Sequence, residues 1–482
     1  MRTRSAAGVA ALIEAGGRPC TLIGDPGVRV GPDVVIDSRR SVPGALFVAL
    51  PGEHADGHDF LDSAASLGAA AAIVTRQADA PLTQLICDDA QQGLTALARS
   101  LHAEARATGL QTVAITGSAG KTSTKDFLAQ ILAAAGPTVS PVGSFNNELG
   151  NPLTVCRIDE QTRYLVSEMG ARAVGDVAYL CSIVHPSASI VLNIGTAHIG
   201  EFGSQTKIAE AKGEIVEALD ADGWAVLNAD DPLVDAMESR TRAHIARFTI
   251  GRTQPISAEL VVRATDLRAD DLARFSFTLS ATGPSTETAD QSAQVRLRLI
   301  GEHQVTDATA AATAALALGV PLETVASALC QAVALSRWRM ELHELPSGAA
   351  VINDAYNANP ESMAAALRTV AAIGERRRAS NPDARTIAVL GDMLELGETS
   401  ADRHRSIGRL AAELGFDEIL ALGEHAPDLV AGAEQVGGNA QISDARTVAD
   451  SVELQSFDVV LIKASRGLRL EEVANRLVGG EE

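Results

Sequence analysis
The sequence predicts an α/β protein of three domains. The central one is a P-loop-type, mostly parallel sheet with a small antiparallel addition, and the C-terminal one is a Rossmann-like, doubly wound domain. Three observations carry this. Short apolar runs alternate with helical patterns through most of the 482 residues, the signature of parallel sheets covered on both faces. One apolar run ends in the loop Gly117-Ser118-Ala119-Gly120, followed by Lys121-Thr122-Ser123 and a helical pattern, the layout of a phosphate-binding loop between strand and helix. Between residues 258 and 299 the pattern changes to alternation (ELVVRA, FSFTLS, VRLRL), which indicates antiparallel strands. The expected domains are 1–108, 109–334 and 335–482, matching the prior of about three for this length.

In the first domain, strands are expected at 34–36, 46–50, 71–75 and 85–87. Two polar loops follow strand ends, Asp37-Ser38-Arg39 and the run GEHADGH at 52–58. Strand ends are where α/β domains bind ligands, although turn and capping chemistry explains the same residues. A helix over 90–107 leads to Gly109, where the central domain begins.

Strand 112–116 enters the phosphate loop, and helix 122–135 leaves it to stop at Gly136-Pro137. Backbone N–H groups and the helix N-terminus would cradle phosphate oxygens; Lys121 would reach the terminal phosphates and Thr122 a Mg²⁺ ion. Only two residues separate Gly117 from Gly120, where the usual pattern has four, so a capped glycine turn also fits. Next comes an amide-rich loop over 143–150 with Asn146 and Asn147, then strands at 163–168, 189–194 and 224–228. Glu168 closes the first of these strands, His198 follows the second by four residues, and Lys212 lies in a helical stretch. A carboxylate, an imidazole and the loop threonine at one sheet edge suit Mg²⁺ held by few protein ligands. A strand-end carboxylate, a capping histidine and a solvated lysine are the plain alternatives. The polar stretch 281–294 is expected as a long surface loop, and helices are expected over 307–318 and after Pro321.

In the last domain, strands are expected at 350–353, 386–390, 418–422 and 459–463, without a GxGxxG fingerprint. Polar loops at 354–360, 391–397 and 463–467 share one sheet edge, which marks that edge as functional. The basic run 375–383 reads as a solvated connection.

Composition limits the function classes. A net charge of −21 argues against general nucleic-acid binding, which needs a basic surface. Five scattered cysteines without metal-ligand spacing suit a reduced cytoplasm. No signal peptide is recognised, and no apolar run reaches the ~18 residues of a membrane span. A cytoplasmic protein is expected.

The segments TGSAGKTSTK, NNELGNP, SEMGA, AHIGEFGS, AKGEI, NDAYNANPESM, VLGDMLELG and KASRG stand in this order over nearly the whole chain. Together they resemble the Mur ligases, and within them the MurF type. The resemblance implies an ATP-dependent ligase of peptidoglycan precursor synthesis, joining D-Ala-D-Ala to the carboxyl end of UDP-MurNAc-tripeptide through an acyl phosphate. A monomer is expected. It implies that Gly117, Ser118, Ala119, Gly120, Lys121, Thr122 and Ser123 hold ATP, with Asn147 and, from the last domain, Arg339, Asp354, Asn357 and Asn359. Thr122, Glu168, His198 and a carbamylated Lys212 would hold two Mg²⁺ ions, and Lys121, Glu168, His198 and Lys212 would serve catalysis. Asp37, Ser38 and Arg39 match the UDP-sugar side, Asn146 the substrate side of the amide loop, and Lys463, Ser465 and Arg466 the incoming amino substrate. The chain departs from the family at Ser144, Gln304 and Asp307, where relatives often carry asparagine.

Overall fold
The computed structural model describes every residue except 53–54, 196–198, 253, 284–290 and 480–482. Three large sheets organise the chain. The first has five strands in the order Thr21–Ile23, Thr83–Ile86, Ala71–Val74, Leu46–Val48, Val34–Val35, parallel apart from the first pair. Helix Ala90–Ala107 follows it, capped by Asp89, whose side chain accepts from Gln92 N. Its apolar face, including Leu94, Leu97 and Leu101, enters a core shared with Val155, Leu180 and Cys181 of the central region. One helix thereby joins the first sheet to the second.

The central sheet has nine strands. Gln111–Thr116 lies between Ala188–Val191 and Tyr164–Glu168, parallel to both. Register pairs Glu168 with Ile115 and Val191 with Thr116, so three strand ends open on one edge. The chain leaves Gln111–Thr116 toward one side of the sheet and later returns on the other, and such a reversal point opens a ligand crevice in α/β folds. Helix Lys121–Ala135 begins there.

The antiparallel addition continues the central sheet. Leu260–Ala269 pairs in parallel with His244–Ile250, a strand that the sequence reading did not mark, and Arg274–Thr282 and Gln291–Ile300 extend the same sheet. The expected loop over 281–294 is correspondingly shorter, because both strands run into it; 284–290 lie outside the described residues. Helix His303–Ala317, rich in alanine, packs closely on the sheet and on helix Lys121–Ala135, because small side chains let backbones approach.

The C-terminal sheet has six strands in the order Glu341–Glu344, Ala350–Asp354, Val459–Lys463, Thr386–Leu390, Glu418–Ala421, Ala440–Ile442, parallel apart from the first pair. The basic run is not a solvated connection. It completes helix Pro360–Ser380, where Arg377 donates to Gly348 O, Phe457 O and Asp458 O and Arg378 pairs with Asp417 at 2.9 Å. Among the described residues no helix is long and apolar enough to cross a membrane.

Candidate active site
The phosphate loop is shaped from both ends. Gly120 has φ +84°, a left-handed conformation that favours glycine, and a Cβ built there would collide with Asp307 Oδ1. Asn193, at the end of the neighbouring strand, holds the middle of the loop. Its Oδ1 accepts from Ala119 N at 2.9 Å, its Nδ2 donates to Ala119 O at 3.1 Å, and its carbonyl accepts from Ser118 N at 3.1 Å. The sequence reading missed Asn193; its one signal was a polar residue closing the apolar run IVLN. Lys121 Nζ donates to Gly117 O at 2.6 Å. Burial lowers its pKa, and the charge of Glu168 opposes that shift.

Beyond the loop lies a buried oxygen cluster. Thr122 Oγ1 is 3.0 Å from Ser144 Oγ and donates to Glu168 Oε1 at 3.2 Å, and Asn146 Nδ2 donates to the same oxygen at 2.8 Å. Glu168 is 1 % exposed, and its Oε2 is buried with no hydrogen-bond partner among the described residues. An orphaned buried carboxylate oxygen is costly unless a cation or donor meets it. A hydroxyl and a carboxylate are hard-oxygen donors, so the residues present fit Mg²⁺. Lys212, on helix Gln205–Glu217, is buried on the same cavity. Burial, aided by the charge of Lys121, pulls its pKa down to about 7. His198 lies outside the described residues.

The C-terminal sheet supplies the opposite wall. Register places Asp354 beside Lys463, a pairing that no local pattern shows. Lys463 Nζ donates to Asp354 Oδ2 at 2.5 Å and to Asn357 O at 2.9 Å, so its amine is committed to shaping the loop 354–360. Arg339 stacks on Tyr356 with 4.3 Å from guanidinium carbon to ring centroid, and its Nη2 donates to Ser144 Oγ at 2.9 Å. This bond bridges the two sheets' loops. Ser465 Oγ accepts from Leu394 N at 3.1 Å and donates to Ala358 O at 3.4 Å. Arg466 lies over the Trp338 ring at 4.3 Å and pairs with Glu471. Two amides have structural duties: Asn147 Oδ1 accepts from Gly150 N, and Asn359 caps helix Pro360–Ser380 in a reciprocal pair with Ser362.

These walls enclose one cavity of about 1060 Å³. Ser118 through Ser123, Asn146, Asn147, Glu168 and Lys212 line it on one side. Arg339, Asp354, Asn357, Asn359, Lys463, Ser465 and Arg466 line the other, and Gln92 and Tyr179 also contribute to the lining. Gly117, the first residue of the loop, does not line the cavity. Asp37, Ser38 and Arg39 do not line the cavity. Asp37 caps a short turn through Arg39 N and pairs with the exposed Arg39 guanidinium at 2.8 Å, on the first sheet.

A phosphate loop on one sheet facing polar loops of a second nucleotide-type sheet defines a nucleotide-dependent enzyme assembled from two domains. Family models agree over three consecutive segments: Mur ligase family, catalytic domain (33–115); Mur ligase middle domain (115–315); and Mur ligase, glutamate ligase domain (338–466). The chain belongs to the Mur ligase family. Its relatives narrow the branch. It is 41 % identical to the UDP-N-acetylmuramoyl-tripeptide–D-alanyl-D-alanine ligase of Mycobacterium tuberculosis (strain ATCC 25618 / H37Rv), with 94 % of this chain and 93 % of that protein covered. It is 33 % identical to the enzyme of the same name from Escherichia coli (strain K12), with 92 % and 93 % covered. Among solved structures, MurF from Acinetobacter baumannii superposes with a TM-score of 0.83 at 31 % identity, covering 99 % of both chains. MurF from Thermotoga maritima in complex with ADP gives 0.72 at 26 % identity, covering 93 % of this chain and 97 % of that one.

Proposed function
We propose that this chain joins D-Ala-D-Ala to the carboxyl end of UDP-MurNAc-tripeptide, converting ATP to ADP and phosphate. The observation that carries this is the Thr122–Glu168 cluster, with its orphaned carboxylate oxygen, facing Arg339 and Asp354 across one cavity beside the phosphate loop. The names of the relatives supply the substrates.

The chemistry follows from what a carboxylate lacks. At neutral pH it does not react with an amine, because it has no leaving group. The tripeptide carboxylate attacks the γ-phosphorus, the bond to the β-phosphate oxygen breaks, and ADP departs. The dipeptide amine then attacks the acyl carbon, phosphate leaves, and the amine proton passes to solvent or base. The protein's share is positioning and charge neutralisation. Backbone N–H groups of 117–123 and the N-terminus of helix Lys121–Ala135 hold phosphate oxygens. Lys121 follows the γ-phosphate, and Arg339 and Asp354 meet the nucleotide from the other wall together with Asn357 and Asn359, which caps helix Pro360–Ser380. Thr122 and Glu168, with His198, would hold Mg²⁺, which when bound neutralises phosphate charge.

Lys212 is read as N-carboxylated. Carbon dioxide reacts with a neutral amine, and a pKa near 7 leaves much of Lys212 in that form at neutral pH. The product is an anion, which suits a metal site better than an ammonium. Residues 1–108 bind the UDP-sugar, with Asp37, Ser38 and Arg39 on that side; 109–334 bind ATP; 335–482 complete the ATP site and receive the dipeptide near Ser465 and Arg466. The enzyme is read as a cytoplasmic monomer. The test is phosphate release with ATP and UDP-MurNAc-tripeptide. Turnover is expected with D-Ala-D-Ala and not with single amino acids; no release with the dipeptide would sink the assignment.

A further inference from the structure
The helix that leaves the phosphate loop carries a buried ion pair that the chemistry above does not use. Lys125, 1 % exposed, lies 2.5 Å from the neighbouring carboxylate of Asp126. Neither lines the cavity. Asp126 Oδ2 accepts from Leu335 N at 3.2 Å and Ser336 N at 2.9 Å, and Asp126 Oδ1 accepts from Ser336 Oγ at 3.1 Å. Lys125 Nζ donates to Ser336 Oγ at 3.1 Å and to Gly143 O at 3.2 Å. One turn further on, the Gln130 amide closes a two-way pair with the backbone of Val333, at 3.0 Å in each direction. The segment 333–336 is the chain's passage from the central to the C-terminal sheet. It is therefore bonded to the phosphate-loop helix.

The next residues are bonded to the other side. Met340 N donates to Asp354 Oδ1 at 3.1 Å, and Trp338 O accepts from Tyr356 N at 3.2 Å. Arg337 alone stands between the two sets of bonds. Trp338 and Met340 have φ of 59° and 49°, left-handed values unusual for such side chains. Non-glycine residues held there cluster at functional and switch positions. Arg339 sits between them and reaches back to Ser144 Oγ, whose neighbour Gly143 is the carbonyl that Lys125 holds.

We propose that Lys125, Asp126 and Gln130 are positioning residues for Arg339: they clamp 333–336, confine the turn of the C-terminal domain to 337–340, and so set where the guanidinium falls relative to the phosphate loop. This rests on the ATP-dependent reading given above. The test is a double-mutant cycle in phosphate release. Gln130→Ala with Ser336→Ala leaves the ion pair in place and avoids a buried unpaired charge; Asp126→Asn is the stronger perturbation. Each is expected to lower kcat at least tenfold while KM for UDP-MurNAc-tripeptide stays within twofold. In an Arg339→Ala background the same changes are expected to cause no further loss. Equal losses in both backgrounds, or no loss in either, would overturn the proposal. A second readout needs no turnover. In a Trp224→Phe background, Trp338 emission is expected to respond to Mg²⁺ and a non-hydrolysable ATP analogue, and the clamp variants are expected to lose at least half of that response. An undiminished response would count against the clamp even if the substrates were misassigned.

Discussion

Replacing Asp307 by asparagine is expected to stabilise the nucleotide-free protein, and to do so more as pH rises. Asp307 is 4 % exposed on helix His303–Ala317, directly behind Gly120, and its Oδ2 has no partner among the described residues. Burial pushes its carboxyl from 3.8 up to about 8, which the neighbouring Thr124 hydroxyl and the Arg339 charge offset only in part. The sign follows from proton binding. Between these two pKa values the folded state keeps a proton that the unfolded state has lost, so this group's contribution to stability is full below 3.8 and falls as pH rises toward 8. At about 1.4 kcal/mol per pH unit, the loss is roughly 2 kcal/mol at pH 5 and roughly 4 kcal/mol at pH 7, levelling off above pH 8. Asp307→Asn removes the titration and keeps the shape. The assay is urea unfolding at pH 5, 7 and 9 in a Trp338→Phe background, where Trp224 on the central sheet is the remaining indole of the two. A stability difference that does not change with pH would refute the reasoning, because it would mean that Asp307 is already ionised in the folded protein.

Other outcomes follow from the same geometry. Gly120→Ala forces a Cβ into Asp307 and places alanine at φ +84°, so KM for ATP is expected to rise at least tenfold in steady-state assays. His102 is buried, 2.8 Å from Thr112 Oγ1, with its pKa lowered from 6.5 to about 3, mainly by desolvation. Its contribution is therefore full above pH 6.5 and is lost at about 1.4 kcal/mol per unit as pH falls toward 3; His102→Gln is expected to flatten that part of the acid-unfolding curve. Lys212→Ala is expected to abolish phosphate release, with partial return on adding a short carboxylic acid with excess bicarbonate, and full activity in the plain variant would refute the carboxylated-lysine reading.

Much of the scaffold was legible because its signals are local. Helix Ala90–Ala107 and strands Trp224–Asn228, Thr386–Leu390 and Val459–Lys463 appear where apolar periodicity placed them. The phosphate loop was legible for the same reason: a strand, a glycine that tolerates positive φ and a helix start lie within a dozen residues. The errors came where a residue's partner is not written in its own local pattern. Alternation marked the strands between 258 and 299 as antiparallel, but the parallel pairing of Leu260–Ala269 with His244–Ile250 depends on a partner that alternation does not name. The arginines of 375–383 looked solvated because the carbonyls and carboxylate they meet, from Gly348 to Asp458, lie far along the chain.

By itself the sequence determined that a phosphate loop, a strand-end carboxylate and three polar loops would stand at sheet edges, while Lys212 read only as a lysine on a helix. Those placements follow from periodicity and from backbone conformations that only certain residues adopt. Only the tertiary structure decided which of them meet. Strand register set Asp354 against Lys463, strand order put Asn193 beside the loop at Ala119, and helix packing pressed Asp307 against Gly120. It also decided the electrostatics, because removal from water is what moves the carboxyl of Asp307 up and the amine of Lys212 down, and burial belongs to the packed chain as a whole.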